Sequence, residues 1–349
     1  HHPYIGNRFS IGVITTAYEL NCDKPLTSSA LNAFRLQYWL GWHGGTSGRE
    51  RARQAKRPSD ASKYPMETVK RVEKTTTLII DEEVPRVPKR AAMFDRALRG
   101  DLGEKTLKER NRFALKHPFG GGLMGPIGAL HKHQDGDALE VDTALTRDPV
   151  ANAKAIKSLS YFLGADLTGI CEVPNYAWYS HRGDGSEIEP RHKYAVVMLI
   201  DQGFDTMEGA SGDDWISGSQ SMRGYLRGAE IAGVMAKHLR QLGHSARPQT
   251  NTDSEVLQIP LVLLAGLGEL SRIGELVLNP FVGPRFKSVV LTTDIPLQVD
   301  KPIDFGLQHF CQNCHKCARE CPCDAIPWGD KIMFNGYEIW KPDVERCTR

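Results

Sequence analysis

Six of the eight cysteines fall between Cys311 and Cys347. The run Cys311-Gln-Asn-Cys314-His-Lys-Cys317-Ala-Arg-Glu-Cys321-Pro322 has the C-x2-C-x2-C-x3-C-P spacing with which thiolates hold a [4Fe–4S] cluster. Its two-residue gaps turn three thiolates toward one face of a cubane, and the cysteine before the proline commonly serves a different cluster. Structural zinc pairs C-x2-C or histidine half-sites across a longer gap, which this run lacks. The chemistry implied is electron transfer.

Two cubanes need eight ligands. Cys311, Cys314 and Cys317 account for one cluster and leave Cys321 for a second, with Cys347 as its next ligand. A single cluster closed by Cys321 or Cys347 is the alternative. Cys323, two residues after Cys321, is either a ligand or a reduced thiol. The shortfall leads us to expect further ligands beyond Arg349. Cys22 and Cys171 stand alone, and this uneven distribution argues against a disulfide scaffold. With 40% hydrophobic and 25% charged residues and a net charge of +2, composition points to no nucleic-acid or acidic-membrane partner. No apolar run reaches the length of a transmembrane helix.

The elements that must position this chemistry are clearest in the middle of the chain. Ile156, Leu159, Phe162 and Leu163 predict a helix over Asp148–Gly164. The apolar run Tyr194–Ile200 predicts a buried strand, and Ser288–Thr293 another. Met222, Tyr225, Leu226, Ala229, Ala232, Met235, Ala236, Leu239 and Leu242 predict an amphipathic helix from Ser221 to the stop at Gly243. Glu104–Lys116 reads as a charged helical piece. Gly120-Gly121-Gly122 lacks the Gly-Lys-Ser/Thr of a phosphate loop and reads as a turn. Ile11–Thr16 and Phe34–Trp42 are apolar, and Gly44 to Arg57 reads as a solvated linker. We divide the chain into an N-terminal extension (1–63), an N-terminal part of the catalytic unit (64–150), a core (151–300) and an iron–sulfur module (301–349).

Several segments resemble the cobalamin-dependent reductive dehalogenases. They are Arg240-Gln-Leu-Gly-His244, Ala265-Gly-Leu-Gly-Glu-Leu-Ser-Arg-Ile-Gly274, Asn279-Pro-Phe-Val-Gly-Pro-Arg285, Thr292-Thr-Asp-Ile-Pro-Leu297 and Lys301-Pro-Ile-Asp-Phe305. The cysteine run follows, then Gly336-Tyr-Glu-Ile-Trp340 leading to Cys347. The resemblance covers Tyr64 to Arg349 and is strongest from Ser221 onward. It implies an α+β fold: a nitroreductase-like core binding a corrinoid, with a C-terminal ferredoxin-like module that is incomplete here. It also implies two [4Fe–4S] clusters and cobalamin, although no residue is assigned to the corrinoid. Cys323 departs from the family pattern.

The implied reaction replaces a carbon–halogen bond by carbon–hydrogen and takes two electrons and one proton. A tyrosine holds its proton at neutral pH, its ordinary pKa being near ~10, and a nearby cation eases release. The resemblance makes Tyr225 the acid, Asn251 the group that orients the phenol or the leaving halide, and Arg285 the cation. Ser221, one helical turn before Tyr225, is expected to line the pocket. The competing readings are a core tyrosine, a turn asparagine, a surface arginine and an N-cap serine. Trp178 and Tyr179 read as core, and the histidines show no paired metal spacing.

The expected partners are a small organohalide and an electron-donor protein or membrane-anchor subunit. The expected location is the outer face of the cytoplasmic membrane, with the cytoplasm as alternative. Rival functions are epoxyqueuosine reductase, which combines cobalamin with two clusters and acts on tRNA, and a non-catalytic iron–sulfur electron carrier.

Overall fold

The computed structural model describes residues 56–57, 62–109, 118–210 and 215–348. The expectations for Ile11–Thr16, Phe34–Trp42 and most of the Gly44–Arg57 linker lie outside these residues. Residues 61–349 hold together as one unit, to which all the elements below belong. Its helices are α1 (Met93–Leu98), α2 (Glu104–Glu109), α3 (Pro118–Leu130), α4 (Pro149–Phe162), α5 (Phe204–Glu208), α6 (Trp215–Gln241), α7 (Gln258–Leu264), α8 (Leu307–Cys314), α9 (Lys316–Arg319) and α10 (Val344–Thr348). The strands are β1 (Leu167–Glu172), β2 (Tyr194–Asp201), β3 (Ala246–Gln249), β4 (Glu269–Leu270), β5 (Val277–Leu278), β6 (Phe286–Thr293), β7 (Ile332–Phe334) and β8 (Tyr337–Ile339).

The organising element is an antiparallel sheet of order β1-β2-β6-β3. Successive side chains along a strand point to opposite faces, and here both faces are covered. Leu167, Ala195, Val197, Leu199 and Val290 pack with Leu261–Leu263 of α7 on one face. Ile170, Val196, Met198, Val289 and Leu291 pack with Ile156 of α4 and Ile231, Met235 and Leu239 of α6 on the other. That is why Tyr194–Ile200 lacks the polar alternation of a half-exposed strand. The fold is therefore a mixed α+β arrangement of two helical layers around one sheet. Pro248 is tolerated because β3 is an edge strand.

Helix α4 starts where the sequence predicts. The Asp148 side chain accepts from the Val150 N–H at 2.9 Å, and Pro149 occupies the first turn. Helix α6 begins before Ser221, at Trp215, and runs 27 residues. Its Gly224 and Gly228, one turn apart, let it approach β6 closely. A Cβ on Gly224 would stand 2.9 Å from Lys287 Cγ, and one on Gly228 would stand 3.0 Å from Val289 Cβ.

One expectation is corrected. Gly120-Gly121-Gly122 forms no turn but lies inside α3, which also contains Pro126. Each interior glycine costs a helix roughly 1 kcal/mol relative to alanine, so propensity misleads here. Packing of α3 against α6, with Gly120 and Ile127 buried, carries the helix instead. Of the Glu104–Lys116 piece, α2 accounts for Glu104–Glu109, and the rest lies outside the described residues. No helix among the described residues is long and apolar enough to cross a membrane.

Candidate active site and cluster ligands

Tyr225 lies half-buried on α6, over the end of β6 where that strand begins. The Lys287 ammonium stands 5.1 Å from the centroid of the Tyr225 ring. In β6, Lys287 shares a face with Val289 and Leu291, which pack against α6. The pleat therefore delivers its stem beneath Gly224 and its cation to the neighbouring tyrosine. Ser221, one turn earlier, is buried and accepts from the Gln202 side-chain amide at 3.4 Å. Gln220 beside it is buried, and its side-chain oxygen has no hydrogen-bond partner among the described residues.

Arg285 is placed elsewhere. Its Nε donates to Asp201 Oδ1 at 3.0 Å, and its guanidinium lies 5.9 Å from the Phe204 ring. Asp201 also accepts from the Tyr64 hydroxyl at 2.6 Å and from the Gly203 N–H at 2.9 Å. Burial alone would raise the pKa of Asp201, but these hydrogen bonds and the Arg285 charge hold it below the usual carboxylate range. Arg285 thus fastens the start of β6 to the end of β2 and to the Tyr64 segment. Lys287, two residues on, is the cation beside the Tyr225 ring, and the sequence reading did not single it out.

Asn251 is exposed in the turn after β3, and no hydrogen bond among the described residues joins it to Tyr225. The β3–β6 register ends with Gln249 opposite Val290, and the chain bends away from the strand at Asn251. The turn is held firmly. Buried Gln134 donates to the carbonyls of Pro248 at 3.1 Å and Asp253 at 2.8 Å, and accepts from Thr250 at 3.0 Å. Gln258 donates to the Gln249 carbonyl at 3.0 Å and accepts from Ser288 at 2.7 Å, tying this turn to β6. Buried Arg247 bonds Asp135 at 2.8 Å and also pairs with Asp253. The start of β6 therefore brings the Tyr225 ring and the Lys287 cation together.

A separate cavity of about 720 Å³ is lined by Glu73, Asp81, Cys171, Glu172, Tyr176 and Asp300 among others, and includes none of these groups. Cys171 is an interior thiol whose pKa burial drives upward. Trp178 is core, as expected.

The cysteines fall into two neighbourhoods. Cys311 and Cys314 lie on α8 and Cys317 on α9; between them His315 adopts a left-handed conformation, φ 52°, that breaks the helix and turns the chain. Cys311 is buried beside Leu307 and Trp340. Farther along, Cys321 and Cys323 bring their sulfurs within 3.6 Å, and the Ala325 N–H donates to Cys321 Sγ at 3.4 Å. That N–H, together with the Cys323 N–H and thiol, holds Cys321 below the ordinary thiol pKa, while its bond to Cys321 raises Cys323. All seven cysteines among the described residues are unpaired by disulfide. No three His, Cys, Asp or Glu side chains are grouped as metal ligands among the described residues. A cubane takes each thiolate at a separate iron, and this all-sulfur donor set fits it.

No family model matches the chain. It is 31% identical over 247 residues to the tetrachloroethene reductive dehalogenase of Dehalobacter restrictus, covering 56% of this chain and 44% of that one. A 132-residue stretch is 30% identical to the epoxyqueuosine reductase of Escherichia coli, covering 35% of this chain and 31% of that enzyme. Among solved structures, the catabolic reductive dehalogenase NpRdhA superposes with a TM-score of 0.88 and 54% identity, covering 94% of this chain and 48% of that one. The chain spans less than half the length of either dehalogenase. Likeness of that extent, together with the cysteine run and the dehalogenase-like segments around it, places the chain in the reductive dehalogenase family.

Proposed function

We propose that the protein removes halide from an organohalide at a cobalamin fed with electrons by two [4Fe–4S] clusters. The observation that carries this is the Lys287 ammonium 5.1 Å from the Tyr225 ring. The balance is R–X + 2e⁻ + H⁺ → R–H + X⁻: the carbon–halogen bond breaks, a carbon–hydrogen bond forms, and the halide leaves with its electron pair. A low-potential one-electron donor, acting twice, supplies the electrons through the cysteine module. Bound cobalamin supplies the electron-rich metal at which the carbon–halogen bond is reduced.

The chain's own residues supply the rest. Tyr225 gives its hydroxyl proton to carbon, and the Lys287 ammonium stabilises the phenolate left behind and draws the halide. Asn251, in the anchored turn after β3, orients phenol or halide, and Ser221 lines the wall beside Tyr225. Gln220, with an unused buried acceptor one residue from Ser221, suits a peripheral amide of the corrinoid. The region from α4 to β6 forms the nitroreductase-like core, and α8 to α10 form part of the ferredoxin-like module. Cys311, Cys314 and Cys317 hold one cluster, and Cys321 and Cys347 contribute to the other.

The substrate class we favour is a haloaromatic. One structure of NpRdhA is a complex with 3-bromo-4-hydroxybenzoic acid. The chain is 54% identical to that enzyme and 31% identical to the tetrachloroethene enzyme. The test is anaerobic turnover of a halogenated hydroxybenzoate by wild type and Tyr225→Phe, with iron and cobalt measured in both. Wild type should release halide; the variant should keep its metals and release none. A fully active variant would remove Tyr225 from the mechanism.

A further inference from the structure

Arg272 is 1% exposed and sits in the loop between β4 and β5. Its Nε donates to the Cys311 carbonyl at 2.9 Å. Its Nη1 donates to the carbonyls of Pro327, Trp328 and Gly329 at 2.9, 3.2 and 3.0 Å, and its Nη2 to that of Gln312 at 3.4 Å. Every acceptor is a neutral carbonyl. No carboxylate among the described residues lies within ion-pair distance of the guanidinium. Glu269, the buried carboxylate three residues earlier, is taken up by the Thr76 hydroxyl at 2.8 Å and the Phe305 N–H at 2.6 Å.

A second cation is nearby. The Arg272 guanidinium lies 4.8 Å from the Trp340 ring centroid, and Lys331 Nζ lies 4.8 Å from the same ring. The only carboxylate paired with Lys331 among the described residues is Glu338, at 4.0 Å and 46% exposed. Trp340 itself is 1% exposed, and its Nε1–H has no acceptor among the described residues. Gly274, at φ 79°, brings the Arg272 loop so close to the Trp340 carbonyl that a Cβ would collide with it, so the arrangement is packed in place.

Burying a guanidinium without an anion costs several kcal/mol. A second cation on the same ring and an unused N–H donor add to that cost. All three features ask for one thing, a buried negative charge. Trp340 packs on Cys311, and Arg272 holds the Cys311 main chain.

We infer that Arg272, Lys331 and Trp340 are positioning residues that compensate the negative charge of the cluster on Cys311, Cys314 and Cys317, and so keep its reduced state within reach of the electron donor. The inference rests on the proposal that a cluster binds there. The step is a one-electron transfer: the low-potential donor is oxidised, the cluster is reduced, and no bond to the protein breaks. Net charge and hydrogen bonds to the sulfurs are among the factors that set such potentials. The two cations and the donor N–H all favour the more negative state.

The test is an anaerobic redox titration followed by electron paramagnetic resonance, with iron and sulfide assayed in every sample. Arg272→Gln removes five hydrogen bonds and risks the fold, so Lys331→Gln, Lys331→Arg and Trp340→Phe are the informative variants. Lys331→Gln should weaken reduction about tenfold, a shift of about −59 mV for one electron. Lys331→Arg should titrate like wild type, and Trp340→Phe should shift in the same direction as Lys331→Gln. Unchanged potentials in both Lys331→Gln and Trp340→Phe, with full iron and sulfide, would overturn the inference. Wild-type protein that takes up no iron would overturn the cluster assignment beneath it.

Discussion

Replacing Lys287 by glutamine keeps the polarity and most of the length of the side chain and removes its charge. The ammonium stands 5.1 Å from the Tyr225 ring centroid. With the phenolate charge placed at the ring centre, unit charges at that distance interact by about 3 kcal/mol at an effective dielectric of ~20 and about 0.8 kcal/mol in water. Both side chains are half-buried, which puts the loss of phenolate stabilisation near ~2 kcal/mol, or about 30-fold in the protonation step. The assay is single-turnover halide release under anaerobic conditions, in protein whose iron and cobalt contents match wild type. Lys287→Arg should recover most of the rate. Lys287→Gln should be slowed but not inactive, because the phenol that gives the proton is still present. An unchanged single-turnover rate in Lys287→Gln would refute the reasoning.

Other outcomes follow from the same geometry. Arg285→Gln should lower stability by about 1 kcal/mol in denaturant titration and slow the chemical step less than Lys287→Gln does, because Arg285 fastens Asp201. Gly228→Ala should destabilise by about 1–3 kcal/mol through overpacking on Val289. Gly233→Ala, where a Cβ meets nothing within 4 Å, should stabilise α6 by up to about 1 kcal/mol. His192, buried between Thr292 and Ser245, has its pKa lowered by burial from 6.5 to about 4. The folded state therefore favours its neutral form, and the stability this confers is whole above pH 6.5 and lost as pH falls toward 4. The loss is at most about 3 kcal/mol, and His192→Asn should flatten that part of the pH–stability curve. Cys323→Ala should leave iron content unchanged; lost iron would make Cys323 a ligand.

The sequence carried the layers of the fold because burial leaves a periodic trace. Tyr194–Ile200 lacks polar alternation because both faces of the sheet are covered, and α6 shows its three- and four-residue steps because only one of its faces is. The cysteine run was legible because cluster geometry fixes its spacing. Lys287 was not. Its importance depends on which face of β6 it occupies and on α6 crossing that face at Gly224. Arg285 drew attention through its motif, yet its guanidinium is occupied by Asp201. The glycines of α3 misled because a neighbouring helix supplies what local propensity withholds. Arg272 lay inside a recognised segment, but its missing counter-ion is visible only once its five carbonyl acceptors are counted.

The central claim is that reducing equivalents gathered at the cysteine run are spent on a carbon–halogen bond beside Tyr225. The most direct measurement is ion chromatography of halide against dehalogenated product, in anaerobic protein carrying cobalamin and iron–sulfur clusters, with a halogenated hydroxybenzoate and a low-potential reductant. One halide and one reduced product should appear for every two electrons consumed, and neither with Tyr225→Phe. Protein with full cobalt and iron that consumes electrons without releasing halide would contradict it.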